Sequence, residues 1–221
     1  MIAVIMAAGK SKRWGGYLGF KNKYLVEIDE EPIFARTIRL LKDNKVKEIY
    51  LSTNNEDLQD YPEYYYAENK TGTELDRFYN TKDLWDRKEN IIYLYGDVYY
   101  TKEAMKTICK TKVQNFLAFG RYGGVKTTSF KSNELFAIKV RDKHLFSAAV
   151  DKVYDLYKKG EIKHCQGWQV YRVMLELPPG RGGKPNFKKL IIIDDITTDF
   201  DQPADYDAWI TATKNDRSKE A

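Results

Sequence analysis

The 221-residue chain has little sulfur and little imidazole: two cysteines, Cys109 and Cys165, and two histidines, His144 and His164. The cysteines stand far apart and match no metal-ligand spacing. They read as reduced, inert thiols of a cytoplasmic protein, not as a disulfide framework. With so few histidines, a zinc site or a Ser/His/Asp triad has little to be built from. Long hydrophobic runs are missing too. The longest, Met1 to Ala8, is far short of the roughly 20 residues a membrane span needs. No basic segment precedes that run and no small-residue cleavage site closes it, so it reads as a buried strand, not a signal peptide. Two phosphate-binding signatures are also absent, the P-loop G-x-x-x-x-G-K-[ST] and the dinucleotide fingerprint G-x-G-x-x-G.

What is present suits a soluble globular protein. Hydrophobic residues make up 43% and charged residues 31%, with 17 tyrosines. The length allows one large α/β domain or two small ones, and a substantial core in either case. The net charge of +5 is spread along the chain, with one denser patch at Lys10, Lys12, Arg13, Lys21 and Lys23. A diffuse positive charge is compatible with nucleic-acid binding. A basic patch beside a glycine loop suits a nucleoside triphosphate better, so neither nucleic acid nor membrane is expected as a partner.

Ile2 to Met6 is apolar without alternation, as a strand covered on both faces should be. A loop with Gly9, Gly15, Gly16 and Gly19 follows, then an expected strand over Tyr24–Ile28. Pro32 opens a helix whose buried stripe is Ile33, Phe34, Ile38 and Leu41. Ile49–Thr53 and Ile91–Tyr95 read as further strands. Between them a helix is expected to start at Thr73 and Asp76 and carry Leu75, Phe78, Tyr79, Lys82 and Trp85. Thr101 caps a helix bearing Ala104, Met105 and Ile108. Strands at Phe116–Phe119 and Glu134–Val140 flank a loop with Gly120, Gly123 and Gly124. A long helix then buries Phe146, Ala149, Val150, Val153, Tyr154 and Tyr157, and Trp168–Leu175 is a shorter one. Pro178–Pro185 is a loop, Leu190–Asp194 a last strand, and Pro203 starts a helix packing Tyr206, Trp209 and Ile210. Strands alternating with helices predict a single α/β domain over residues 1–213, with a mostly parallel, doubly wound, Rossmann-like sheet. Residues 214–221 read as a disordered polar tail.

Ligands of such sheets sit beyond the carboxyl ends of the strands, and three chemically loaded segments fall there. The first is Ala7-Ala8-Gly9-Lys10-Ser11-Lys12-Arg13. Small residues let backbone N–H groups approach a triphosphate, whose charge Arg13 and Lys23 offset. Taken alone it is equally an ordinary basic surface loop. The second is Gly96-Asp97-Val98, where a carboxylate at a strand tip suits Mg²⁺, or simply a turn. The third is Asp199-Phe200-Asp201-Gln202-Pro203-Ala204-Asp205-Tyr206. Alternation puts Asp199 and Asp201 on one side, for a metal role led by Asp201. Asp205 falls in the first helical turn, a structural position.

Together these segments resemble the GT-A-like nucleotidyltransferase superfamily. Its signature is an A-A-G-x-G-x-R loop, a P-K before a strand and a G-x-P-[IL] turn, matched here by Ala7 to Arg13, Lys23 and Glu31-Pro32-Ile33. Gly96-Asp97 resembles the family's metal position, and Asp199 to Tyr206 its D-x-D-T-P-E-D-[LY] closing motif. Members include sugar-phosphate, choline-phosphate and methylerythritol-phosphate nucleotidylyltransferases and the molybdenum cofactor guanylyltransferase. Ser11 replaces the second loop glycine, Asn22 the proline before the lysine, Glu30 or Glu31 the turn glycine and Gln202 the threonine. None of the charges is lost.

The resemblance implies an enzyme joining the nucleotidyl group of an NTP to a phosphorylated small molecule and releasing pyrophosphate. It places Arg13 on the pyrophosphate, Lys23 at the α-phosphate, and Mg²⁺ on Asp97 and Asp201 with Asp199 nearby. Nucleotide contacts are expected from Ala7, Ala8, Gly9, Lys10, Ser11 and the Asn69–Thr73 segment, chiefly Gly72 and Thr73, although Thr73 is equally a helix cap. The acceptor side falls between the metal motifs. Arg121 and Lys126 are candidates for its phosphate, and Trp168 and Tyr171 for a sugar ring or a quaternary ammonium, unless both aromatics are core. A sugar- or polyol-phosphate is the expected acceptor, with phosphocholine next. A GT-A glycosyltransferase would show D-x-D at the central strand end and lack the basic loop. A non-catalytic nucleotide-binding module would have shed one of the charges. The base and the oligomeric state are not legible.

Overall fold

The structure, a computed structural model, describes residues 1–9, 11–20, 22–59, 61, 64–66 (backbone only), 70–122, 133–180 and 189–217. Its strands are β1 (Ile2–Met6), β2 (Glu27–Ile28), β3 (Glu31–Pro32), β4 (Glu48–Thr53), β5 (Tyr64–Tyr66), β6 (Ile91–Tyr95), β7 (Val98–Tyr99), β8 (Phe116–Arg121), β9 (Glu134–Val140), β10 (Leu190–Ile192) and β11 (Thr198–Asp199). The helices are α1 (Ile33–Asp43), α2 (Asp76–Tyr79), α3 (Lys102–Lys110), α4 (Lys143–Lys158), α5 (Gly167–Met174) and α6 (Pro203–Arg217).

Seven strands form the central sheet in the order β10-β8-β9-β6-β1-β4-β5. β9 pairs antiparallel with both β6 and β8, and the other pairings are parallel. The doubly wound α/β expectation therefore holds, with one reversed strand inside it. The unbroken apolar run of β1 has a direct cause. Ala3 and Ile5 enter the cluster beneath α1 and α3, while Ile2, Val4 and Met6 enter the opposite cluster with α2, α4 and α5. Strand β6 splits the same way, Ile92 and Leu94 against Ile91 and Tyr93. A third cluster, with Trp14, Val26, Ile28, Tyr99, Phe200 and Trp209, packs α6 against the β2–β3 and β7–β11 ribbons.

Several local expectations are corrected. Tyr24–Ile28 is not one strand. Lys23–Leu25 forms a 3-10 turn capped by Asn22, whose side chain accepts the Tyr24 N–H at 3.2 Å, and only Glu27–Ile28 is extended. Thr73 caps no helix. The helix begins at Asp76 and stops at Tyr79, and a 3-10 segment at Lys82–Asp86 completes the stretch, still burying Leu75, Phe78 and Trp85. Pro32 stands immediately before α1, near the first helical position as expected. Tyr157 is 41% exposed. The last central strand ends at Ile192, and Thr198–Asp199 is a separate strand paired with β7. Helix α6 runs past Thr213 to Arg217, which pairs with Asp29 and lies over the Trp209 ring. Of the expected Pro178–Pro185 loop, residues 181–185 lie outside the described residues, as does the end of the tail, 218–221.

Gly120 marks a bulge between β8 and β9. A Cβ there would sit 2.2 Å from the Glu134 carbonyl oxygen, so only glycine allows the close pairing that brings Glu134 to the cleft. On the other end of β9, buried Lys139 donates to the carbonyls of Ile108 (3.1 Å), Cys109 (2.8 Å) and Thr111 (2.8 Å). These are carbonyls that a helix end leaves unpaired. Lys139→Met should cost about 2–3 kcal/mol, lowering Tm by roughly 5–10 °C. Thermal unfolding checks this, and an unchanged Tm would show that the ammonium does not hold the end of α3.

Candidate active site

The carboxyl ends of β1 and β6 open into a cleft of about 410 Å³. Its floor is tied together by backbone. Ala7 N–H donates to Ser52 O (2.9 Å), and Gly96 N–H to Met6 O (3.0 Å). At Gly96 the chain turns from β6 into β7. Strand β11 pairs with β7, matching Asp199 to Val98, and Phe200 N–H donates to Asp97 O at 3.0 Å. Phe200 is fully buried beside Trp209, at an interplanar angle of 73°, so Asp199 and Asp201 on either side of it turn to the cleft. Two segments about a hundred residues apart thus deliver the three aspartates to one place. Asp205 does what the sequence suggested: its carboxylate accepts the Gln202 N–H at 3.0 Å and fixes the start of α6.

Lys23 is the hub. Its ammonium lies 2.5 Å from Asp97 Oδ2 and 3.2 Å from Asp201 Oδ1, and Arg13 approaches Asp201 Oδ2 at 3.0 Å. Burial alone would lower the Lys23 pKa, but the Asp97 carboxylate, with Asp201 beyond, holds it above the ordinary lysine value. Burial pushes Asp201 upward, and Lys23 and Arg13 together overcome that and hold it low. Asp199 is the opposite case. Burial, then Glu134, Asp97 and Asp201, drive its pKa well above the carboxylate range.

The remaining expected site residues divide. Gly9, Ser11, Lys12, Arg13 and Trp168 line the cleft. Ala7 is buried at its base and Ala8 half-buried. Lys10 and Lys126 lie outside the described residues, as do Lys21, Asn69, Gly123 and Gly124. Gly72 and Thr73 do not line the cleft. Asp76 gathers their turn by accepting the Gly72 N–H (3.1 Å) and the Thr71 N–H (2.9 Å). Arg121 is corrected: it is 2% exposed, lies 4.0 Å behind Asp199 and donates to Thr198 Oγ1 at 3.1 Å. A buried strand residue facing β11 has no route to an acceptor. Tyr171 is corrected as well. It is 1% exposed and packs edge-on against Phe116 and Trp168, so it belongs to the core.

Several cleft residues were missed: Tyr24, Glu74, Arg77, Tyr95, Glu134 and Gln166. Glu74 and Arg77 pair at 3.3 Å. A Glu/Arg pair three apart, among the apolar positions of an expected helix, was the available signal for them. Glu134 and Gln166 carry no such signal, because a strand end and a loop bring them in.

Among the described residues no group of three or more Asp, Glu, His or Cys is gathered tightly enough to hold a metal ion. The carboxylates of Asp97 and Asp201 nonetheless converge on a single cation, the Lys23 ammonium. Convergent hard oxygen donors fit Mg²⁺.

Comparison with known proteins agrees with this fold. The solved structures it resembles share the nucleotidyltransferase fold. One is a Bacillus anthracis protein assigned as a glucose-1-phosphate thymidylyltransferase (TM-score 0.62, 14% identity, 97% of this chain and 96% of that one). Another is the 4-diphosphocytidyl-2C-methyl-D-erythritol synthase of Anaerococcus prevotii (0.60, 17%, 97% and 97%). A third is the inositol-1-phosphate CTP transferase of T. maritima (0.59, 13%, 96% and 96%). At these identities the likeness establishes the fold. Residues 3–75 match the MobA-like NTP transferase domain family, within the superfamily that the motifs resemble. No curated protein matches the chain in sequence.

The raised pKa of Asp199 generates a prediction. A carboxyl whose folded pKa lies above its unfolded value keeps its proton on folding, so its contribution to stability falls as pH rises from about 4 toward the folded pKa. Asp199→Asn removes that loss. In metal-free buffer the Tm of the variant relative to wild type should rise between pH 5 and pH 8. A difference independent of pH would mean that Asp199 is not held protonated.

Proposed function

We propose that the chain is a nucleotidyltransferase that moves the nucleotidyl group of an NTP onto a phosphorylated sugar or polyol and releases pyrophosphate. The observation that carries this reading is the meeting of Lys23 and Arg13 with Asp97 and Asp201 in one cleft. Such a set suits a reaction whose demand is to hold and neutralise phosphate charge, with little need for a base. A phosphomonoester acceptor is already ionised near neutral pH. One of its oxygens attacks the α-phosphorus, the bond from that phosphorus to the β-phosphate bridge oxygen breaks, and the electron pair leaves with pyrophosphate.

In this reading the Gly9–Ser11 loop receives the triphosphate, Arg13 holds the departing pyrophosphate and Lys23 shifts from the carboxylates to the α-phosphate as charge builds there. Asp97 and Asp201, with Asp199 behind, are the residues that would hold Mg²⁺. Bound there, it supplies further positive charge to the phosphate oxygens. The far half of the cleft supports the choice of acceptor. Glu134 and Gln166 offer hydroxyl-binding oxygens, and Trp168 a flat apolar face for a ring. No helix among the described residues is long and apolar enough to cross a membrane, and a reaction on NTPs and phosphorylated metabolites suits the cytoplasm.

The test is a pyrophosphate-release screen crossing ATP, CTP, GTP, UTP and dTTP with phosphorylated sugars, polyols and amino-alcohols. Release that depends on a phosphorylated acceptor is expected. Turnover only with nucleotide-sugar donors, or only with unphosphorylated alcohols, would favour the glycosyltransferase instead. With the active pair in hand, Asp97→Asn should lower the rate about 10²–10³-fold. Arg13→Ala and Lys23→Ala should each remove most activity, and Lys12→Ala much less. Equal losses at Lys12 and Arg13 would mean that the loop is misaligned.

A further inference from the structure

Tyr24 follows Lys23 in the 3-10 turn, and its side chain is 1% exposed, packed into the core cluster beneath α1. Its hydroxyl nevertheless reaches the cleft, where it accepts the Gly9 N–H at 2.8 Å. That N–H belongs to the glycine loop, whose backbone donors would otherwise face phosphate oxygens. A phenol has one proton to donate besides the lone pairs it offers. Gly9 takes a lone pair, and among the described residues nothing accepts the proton. Burial, and then the Asp97 carboxylate, raise the Tyr24 pKa against the pull of Arg77 and Lys23, so the group stays a donor at neutral pH. The Arg77 guanidinium stands close to the phenol. A Cβ on Gly9 would lie 3.5 Å from the Arg77 guanidinium and 2.6 Å from the Tyr24 oxygen.

We propose that Tyr24 is a further phosphate-binding residue of this site: its O–H extends the loop's Gly9 N–H and donates to the triphosphate in its place. The proposal rests on the nucleotidyltransferase reading. It also gives the left-handed Ser11 (φ 45°) a context, since the second loop glycine of the related motif is gone and a side-chain donor stands beside the first.

The test measures equilibrium binding of ATP, CTP, GTP, UTP and dTTP, and of inorganic tripolyphosphate, with Mg²⁺ and no acceptor. Tyr24→Phe keeps the buried ring and removes the hydroxyl, which is both the proposed donor to phosphate and the acceptor of the Gly9 N–H. Its Kd should rise about tenfold or more for the preferred NTP, and by a similar factor for tripolyphosphate, because the contact is to phosphate and not to base. Gly9→Ala forces the phenol oxygen away, and in wild type it should weaken binding comparably. In the Tyr24→Phe background the same alanine should cost little more, since the next contacts of its Cβ are ordinary ones at 3.5 and 3.8 Å. Unchanged NTP affinity in Tyr24→Phe, a loss confined to NTP and spared for tripolyphosphate, or additive losses in the double variant would overturn the role of Tyr24 while leaving the proposed function standing. Should Tyr24→Phe fail to fold, Gly9→Ala carries the binding comparison: a weakened Kd supports the proposal and an unchanged one overturns it. Failure of the wild type to bind any of these triphosphates would overturn the nucleotide reading itself, and the proposal with it.

Discussion

Carboxylates that face one another in a half-buried cleft repel, and they stay together if cations are folded in with them or if one of them keeps its proton. Asp97, Asp199, Asp201, Glu74 and Glu134 line one cleft with Lys12, Arg13, Lys23 and Arg77. The Lys23 ammonium, shared between Asp97 and Asp201, is the contact on which that balance turns. Its position is set by Asn22, which caps the turn carrying it, and by the buried ring of Tyr24 on its other side. The same neighbours decide protonation. Asp201 is held low by Lys23 and Arg13, while Asp199, more deeply buried and surrounded by acids, is driven high.

The sheet and the site are connected through backbone. β1 is covered on both faces, so its carboxyl end is fixed, and Gly96 is bonded directly to Met6. The β7–β11 ribbon and the Phe200–Asp97 hydrogen bond then register the closing segment against the strand tip. Behind that ribbon Arg121 braces Asp199, and Trp209 donates to the Ile196 carbonyl at 2.7 Å. On the other wall, Trp14, Tyr17 and Tyr206 pack edge to edge, and Tyr17 bonds Asp207 on α6, fastening the loop that carries Arg13 to the helix that follows Asp201. The cleft is thereby held from both ends of the chain.

Much of this was legible because it is written in short, local patterns. Uninterrupted apolar runs marked β1 and β6 as doubly covered strands, and the three charged segments fell in family order at strand ends. What stayed hidden depends on tertiary context. Tyr24–Ile28 has strand-like composition, yet the Asn22 cap and the burial of Tyr24 bend it into a turn. Arg121 looked like a ligand-binding cation beside a glycine loop, but strand alternation sends its side chain beneath Asp199. Tyr171 was weighed between ligand face and core, and its neighbour Phe116 decides for core. Glu134 and Gln166 reach the cleft through a bulge and a loop that no periodicity announces. The expected basic contributions of Lys10, in the glycine loop after β1, and of Lys126, on the acceptor side, lie outside the described residues.

The central claim of the proposed function is that the Lys23 ammonium, lying between Asp97 and Asp201, holds the place of the metal ion's charge until a triphosphate arrives with Mg²⁺. The most direct measurement is a crystal structure with magnesium and the α,β-methylene analogue of the preferred NTP. The account predicts the triphosphate against the Gly9–Arg13 loop, with Lys23 Nζ moved onto an α-phosphate oxygen and the two aspartates released to the metal. A triphosphate bound outside this cleft, or bound within it while Lys23 still bridges both carboxylates, would contradict it.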